Sequence, residues 1–188
     1  MRVTEGSDDK PIHPQHVVRA LDELAAPDAI FTCDVGTPTI WAARYLSMNG
    51  RRRLVGSFNH GSMANALPQA IGAQVSHPGR QVVSLSGDGG LGELLSLRQL
   101  RAPVKLIVLR NNSLAFVELE MKAAGLVDFG TDLENPDFAK MAEGAGILGL
   151  RAETPSQVRP MIAQALEYAV LSGRGGELVD LAKINLFR

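Results

Sequence analysis

One cysteine in 188 residues, Cys33, excludes an internal disulfide, so the fold must be held by its core alone. Cys33 closes an apolar run with no histidine near it in sequence, which reads as a buried inert thiol rather than a nucleophile, in a reducing compartment. No charge of one sign dominates. A net charge of −1 without a dense basic tract argues against a nucleic-acid partner, and the one basic cluster, Arg51-Arg52-Arg53, reads as a solvated loop before a strand. No apolar run approaches membrane-spanning length, and Met1–Lys10 is polar and acidic rather than a signal sequence, so the expectation is a cytoplasmic protein, soluble or peripherally attached. Internal repeats and low-complexity tracts are also missing.

What is present is ordinary globular composition, 45% hydrophobic and 21% charged, in a length that suits one domain. The stretch from Val82 to Asn112 organises it. An apolar run, Val82 to Leu85, breaks at Ser86-Gly87-Asp88-Gly89-Gly90 before an amphipathic segment predicted to become helical near Leu91. A second run, Leu106 to Leu109, ends at Asn111-Asn112. In an open α/β sheet ligands lie beyond the carboxyl ends of strands, so Asp88 and Asn112 should meet at one rim. A carboxylate and an amide oxygen there suit Mg²⁺, which keeps few protein ligands and completes its octahedron from water and phosphate oxygens. The glycines beside Asp88 let backbone N–H groups approach those phosphates, with the positive end of the helix behind them. A Rossmann dinucleotide site fails, because no G-x-G-x-x-G opens the helix and Arg110 stands where an acidic residue should.

The rest alternates strand and helix, and a doubly wound parallel sheet with helices on both faces is the simple architecture for it. Helices are predicted near Gln15 to Leu24, Thr39 to Leu46, Ala64 to Val75, Ser113 to Ala124, Asp137 to Gly144, and from Thr154-Pro155 to Tyr168; short strands at Ala29 to Thr32 and Ile147 to Arg151. Ala66, Ala70 and Ala73 permit close packing, and Trp41 and Tyr45, one turn apart, read as core or interface contacts. In Gly56–Met63, His60 is either a general acid or a loop histidine, and Met63 fills a gap by default. Residues 1–172 read as one domain. In residues 173–188, Gly173, Gly175 and Gly176 interrupt the chain, and a C-terminal amphipathic helix is predicted from Glu177, with Leu178, Val179, Leu181, Ala182 and Leu186 on one face. Such a tail either docks on its own domain or lies on a membrane surface.

The Gly-Asp-Gly and Asn-Asn motifs at two strand ends resemble the signature of thiamine diphosphate enzymes. The runs FTCDVGTPTIWAARYLSMNG, GSFNHGSMANALPQAIGAQ, NNS, FVELEMKAAG and LSGRGGELVDLAKINLFR resemble the C-terminal cofactor domain of the pyruvate oxidase branch, most closely quinone-dependent pyruvate dehydrogenase. That family oxidatively decarboxylates pyruvate to acetate and CO₂ and passes electrons through FAD to ubiquinone. The resemblance implies thiamine diphosphate and Mg²⁺ as cofactors, with Asp88, Asn112 and the Leu114 carbonyl as metal ligands. It places Gly61, Ser62 and Met63 on the aminopyrimidine and thiazolium, with Met63 as a wedge, and Gly89, Gly90 and Ser113 on the diphosphate. Ala115, Phe116 and Val117 follow in the same loop, with Phe116 as an aromatic residue that enters the active site on activation. It also implies a homo-oligomer or partner chain, and a tail that binds lipid at the cytoplasmic face of the inner membrane.

Departures from the family pattern qualify those expectations. The family's N-terminal domain, with the glutamate that activates the aminopyrimidine, and its FAD-binding domain have no counterpart here, and Glu118 and Glu120 do not replace that glutamate. The spacer between the motifs is short, and the family's final strand appears as no obvious run between MIAQALEYAV and LSGRGG. The expectation is therefore a fragment or reduced form with a weakened edge. Three readings follow: the catalytic domain of a quinone-linked pyruvate dehydrogenase, a cofactor-binding module without turnover, or another thiamine diphosphate enzyme such as an acetolactate synthase or 2-oxo acid decarboxylase.

Overall fold

In a computed structural model that describes residues 11–172 and 177–181, six strands form one sheet, every pair of neighbours parallel. In chain order these are β1 (Ile30–Cys33), β2 (Arg53–Gly56), β3 (Val82–Gly87), β4 (Lys105–Leu109), β5 (Leu148–Ala152) and β6 (Glu177–Leu181), and across the sheet they run β2-β1-β3-β4-β6-β5. Seven helices accompany them, the first ahead of β1: α1 (Pro14–Leu24), α2 (Thr37–Tyr45), α3 (Ala66–Ser76), α4 (Leu94–Leu100), α5 (Ala115–Ala123), α6 (Phe138–Gly144) and α7 (Pro155–Ser172).

The sheet is covered on both faces, as its unbroken apolar strands require. Alternate residues supply the two cores. Phe31, Cys33, Val83, Leu85, Ile107 and Leu109 pack with α1, α2 and α7. Ile30, Val82, Leu106 and Val108 pack with α3, α4 and α6. Burial of Val17, Val18 and Leu21 from α1 against Val158 and Ile162 from α7 stabilises that layer by about 1.5–3 kcal/mol per large side chain. Under α3 the strands carry Thr32, Ser84 and Ser86, all fully buried, as are the small Ala66 and Ala70 of that helix. The Thr32 hydroxyl donates to the Ala66 carbonyl at 2.7 Å, and the Ser84 and Ser86 hydroxyls lie 3.0 Å apart. Asp137 caps α6 as predicted, accepting from Lys140 N at 3.1 Å, and Trp41 stacks on Tyr45 at 6.0 Å.

Three expectations are corrected. Residues 177–181 are not part of an amphipathic helix: they form β6, paired with β4 on one side and β5 on the other. Leu178, Val179 and Leu181 suit either period, and the two open strand edges decide in favour of extended backbone. The sheet thus has a strand where the sequence seemed to lack one, and α7 runs on to Ser172 rather than stopping at Tyr168. Residues 173–176 and 182–188, the rest of the expected tail, lie outside the described residues. Second, α4 begins at Leu94, not Leu91; Gly87, Gly89, Gly90 and Gly92 each weaken a helix by about 1 kcal/mol relative to alanine, which keeps the chain in turns until Glu93. Third, Arg52 is buried, not solvated. Its guanidinium pairs with Asp22 at 2.7 Å and donates to the carbonyls of Asp22, Ala25 and Ala26, closing the carboxyl end of α1.

The strand order reverses direction at β1 and β3. β2 lies on one side of β1, and all later strands lie on the other. The carboxyl ends of β1 and β3 therefore form the crevice where ligands bind in doubly wound sheets.

Candidate cofactor and metal site

Two carboxylates stand in that crevice. Asp34 follows β1 and is 4% exposed; Asp88 follows β3 and is 9% exposed. Burial raises the pKa of both above the usual aspartate value, and in each case hydrogen bonds to the ionised form oppose the rise.

Asp88 sits where the sequence placed it, against the end of β4. Its Oδ2 accepts from the backbone N–H groups of Asn111 at 3.1 Å and Asn112 at 2.7 Å. Two successive amides can turn toward one oxygen because Asn112 takes a left-handed conformation, φ 60°, which asparagine tolerates better than most residues. Oδ2 also accepts from Asn135 Nδ2 at 2.7 Å, and the same nitrogen donates to Asn112 Oδ1 at 3.0 Å. The side-chain oxygens of Asp88 and Asn112 thus converge on one point. The Leu114 carbonyl accepts from Glu118 N at 3.0 Å as α5 begins, which leaves its second lone pair for a ligand.

Beside them is a cavity of about 110 Å³. Gly89, Gly90, Ser113 and Leu114 line it on the motif side, Ala115, Phe116 and Val117 at the start of α5, and Met63 and Ala64 opposite. Met63 reaches Gly89: a Cβ added there would lie 3.4 Å from its methyl carbon. Gly61 and Ser62 do not line the cavity. They shape the loop behind Met63, Gly61 with φ 71° and its N–H on the Ser57 carbonyl at 2.7 Å, Ser62 accepting from Asn65 Nδ2 at 2.8 Å. His60 is exposed and not in the lining, so the loop-histidine reading fits it. Glu118 is bound to Ser113 and Lys122, and Glu120 is exposed; neither lines the cavity. Cys33 is fully buried and its thiol is pushed up to about 12 by desolvation, which makes it inert as expected.

Asp34, Asn135, Gly36, Thr37 and Pro38 were missed as site residues. Asp34 had a signal: like Asp88, it ends an apolar strand in a glycine turn. Asn135 had none, since a loop of its own brings it back to Asn112.

Among the described residues no cluster of three or more His, Cys, Asp or Glu could hold a metal ion. One carboxylate, one amide oxygen and one carbonyl fit a hard cation that takes its remaining oxygens from a diphosphate. Gly90 leaves room for Asp34, whose Oδ2 a Cβ there would strike at 2.2 Å, and a Cβ on Gly89 would meet the Met63 methyl at 3.4 Å.

The chain is similar to several known proteins. The Bacillus subtilis protein YdaP, described as thiamine pyrophosphate-containing, is 36% identical over 160 residues, 83% of this chain and 28% of its own length. An acetolactate synthase of the same organism is 36% identical over 162 residues, 82% of this chain and 28% of its own. A pyruvate oxidase of Lactiplantibacillus plantarum is 31% identical over 166 residues, 86% and 28% respectively. The chain spans little more than a quarter of the length of these relatives. Residues 34–173 match the family model described as thiamine pyrophosphate enzyme, C-terminal TPP binding domain, and the chain belongs to that family.

Proposed function

We propose that this chain holds thiamine diphosphate through Mg²⁺ for an enzyme that decarboxylates pyruvate, with the quinone-linked pyruvate oxidase branch as the first reading. The observation that carries it is the convergence of the Asp88 and Asn112 oxygens beside a cavity at the sheet's reversal point. Asp88, Asn112 and the Leu114 carbonyl would hold the cation, and Gly89, Gly90 and Ser113 would face the diphosphate. Met63, braced by the loop at Gly61 and Ser62, would support the cofactor rings, and Phe116 would exclude water from them. Bound thiamine diphosphate supplies the electron sink for decarboxylation of a 2-oxo acid.

Among the described residues no carboxylate lines the cavity other than Asp34 and Asp88, both engaged by hydrogen bonds, so we place the proton relay for the aminopyrimidine outside them. Electron transfer through FAD to ubiquinone, assembly with further copies or partners, and location at a cytoplasmic membrane face belong to the same proposal and rest on resemblance. Lipid attachment through residues 177–181 is not part of it, because their backbone pairs on both sides within the sheet. Acetolactate synthase is the second reading, favoured by the identity to such enzymes.

Calorimetry tests the site. The wild type should bind thiamine diphosphate only with Mg²⁺, and Asp88→Ala should abolish that binding with its circular dichroism spectrum largely unchanged. Unaltered affinity in Asp88→Ala would remove the metal reading. Acetate or CO₂ formed from pyruvate by the purified chain alone would show an activating base within it.

A further inference from the structure

The Asn112 amide oxygen has no acceptor position to spare. It takes Arg110 Nε at 3.0 Å and Asn135 Nδ2 at 3.0 Å, and an sp² oxygen has two lone pairs. A cation on Asn112 therefore competes with these donors. The two are held differently. Arg110 lies at the end of β4, with its guanidinium over the Phe138 ring and on the carbonyls of Asn135 and Pro136. Asn135 lies on the connection between α5 and α6, flanked by exposed Glu134 and Pro136, and it alone donates to both Asn112 and Asp88.

That nitrogen occupies the point on which the two oxygens converge, 2.7 and 3.0 Å from them. A Mg²⁺ shared by Asp88 Oδ2 and Asn112 Oδ1 needs the same point at about 2.0–2.1 Å from each, so the Asn135 hydrogen bonds and a cation on those two oxygens exclude one another. We infer that the Asn135 amide is a removable placeholder for the cation, displaced when the metal binds. The inference rests on the metal reading above.

The displacement has a way to reach further. Residues 125–136 run beside the motif as a strap, pinned by Leu114 N on the Thr131 carbonyl at 2.8 Å and by Leu133 N on the Asn112 carbonyl at 3.0 Å. It carries Leu126, Val127 and Phe129, all strongly exposed. Withdrawal of Asn135 loosens the strap at its α6 end, so metal loading is read out on a surface outside the cavity.

The test uses the whole chain with thiamine diphosphate and Mn²⁺, whose free fraction is read by electron paramagnetic resonance. Asn135→Ala removes the competitor, and Mn²⁺ should bind it about tenfold more tightly than the wild type, the effect expected for losing hydrogen bonds to a charged group. A residue that merely positions the ligands would give the opposite sign, so weaker or unchanged Mn²⁺ affinity overturns the placeholder. In the wild type, hydrogen exchange at Leu114 and Leu133 should quicken on loading; unchanged exchange there also counts against it. Binding by the wild type with no gain in Asn135→Ala defeats this inference alone, whereas no Mn²⁺ binding by either defeats the site reading with it.

Discussion

Asp34 and Asp88 end neighbouring parallel strands, are similarly buried and have carboxyls raised for the same reason, yet they are held in opposite ways. Asp34 is gripped by fixed elements. Its Oδ1 accepts from Ala66 N at 2.8 Å, capping α3 from a strand far upstream, and its Oδ2 accepts from Gly87 N at 3.1 Å at the end of β3. One carboxylate ties β1, β3 and α3 together. Asp88 also takes two backbone donors, but its side-chain donor, Asn135, lies on a long connection, whereas that of Asp34 is Asn65 at the start of α3, at 3.5 Å. The difference separates a carboxylate that builds the crevice from one available to what enters it.

The largest effect expected is at the first of these. Asp34→Ala leaves Ala66 N and Gly87 N buried without an acceptor, at about 1–3 kcal/mol each, so urea denaturation should show a loss of about 3 kcal/mol or more. A loss below 1 kcal/mol would mean the tie is dispensable. Gly90→Ala attacks the same carboxylate by bulk: its Cβ would lie 2.2 Å from Asp34 Oδ2, and relieving the clash should cost about 1–3 kcal/mol. Gly89→Ala, 3.4 Å from the Met63 methyl, should be milder, and equal losses would show that the Asp34 contact is not the cause.

The smallest effect is on pH dependence. Because burial places the folded Asp34 pKa above its unfolded value of 3.8, its contribution is fully present below that value and is lost as pH rises through the folded pKa. The stability of the wild type relative to Asp34→Asn should therefore fall as pH is raised above 3.8 in paired urea titrations. A gap that widens with pH would show that the hydrogen bonds outweigh desolvation.

Much of this crevice could be read from residue order. Glycine, asparagine and aspartate at the ends of apolar runs announce turns by local chemistry, and those turns met because parallel strands bring like ends together. Asp88 and Asn112 were legible for that reason, whereas Met63 and Phe116 were singled out only through the family resemblance. Arg52 was not, because its partners are α1 carbonyls remote in sequence, and a three-arginine run gives no hint of which one turns inward. Asn135 was hidden in the same way. The segment Glu177–Leu181 fits two periods, and only the positions of β4 and β5 choose between them.

The place of β6 carries a consequence for synthesis. Lys105 of β4 and Leu148 of β5 both pair with Glu177, a residue made after each of them. As the chain leaves a ribosome, β4 and β5 emerge with no direct ladder between them, and the slot they flank stays open until the segment following α7 arrives. Until then two apolar strand edges are exposed to any extended neighbour, the circumstance that favours pairing with the wrong chain. A nascent domain of this topology depends on a strand made after both of its neighbours to close the slot between them.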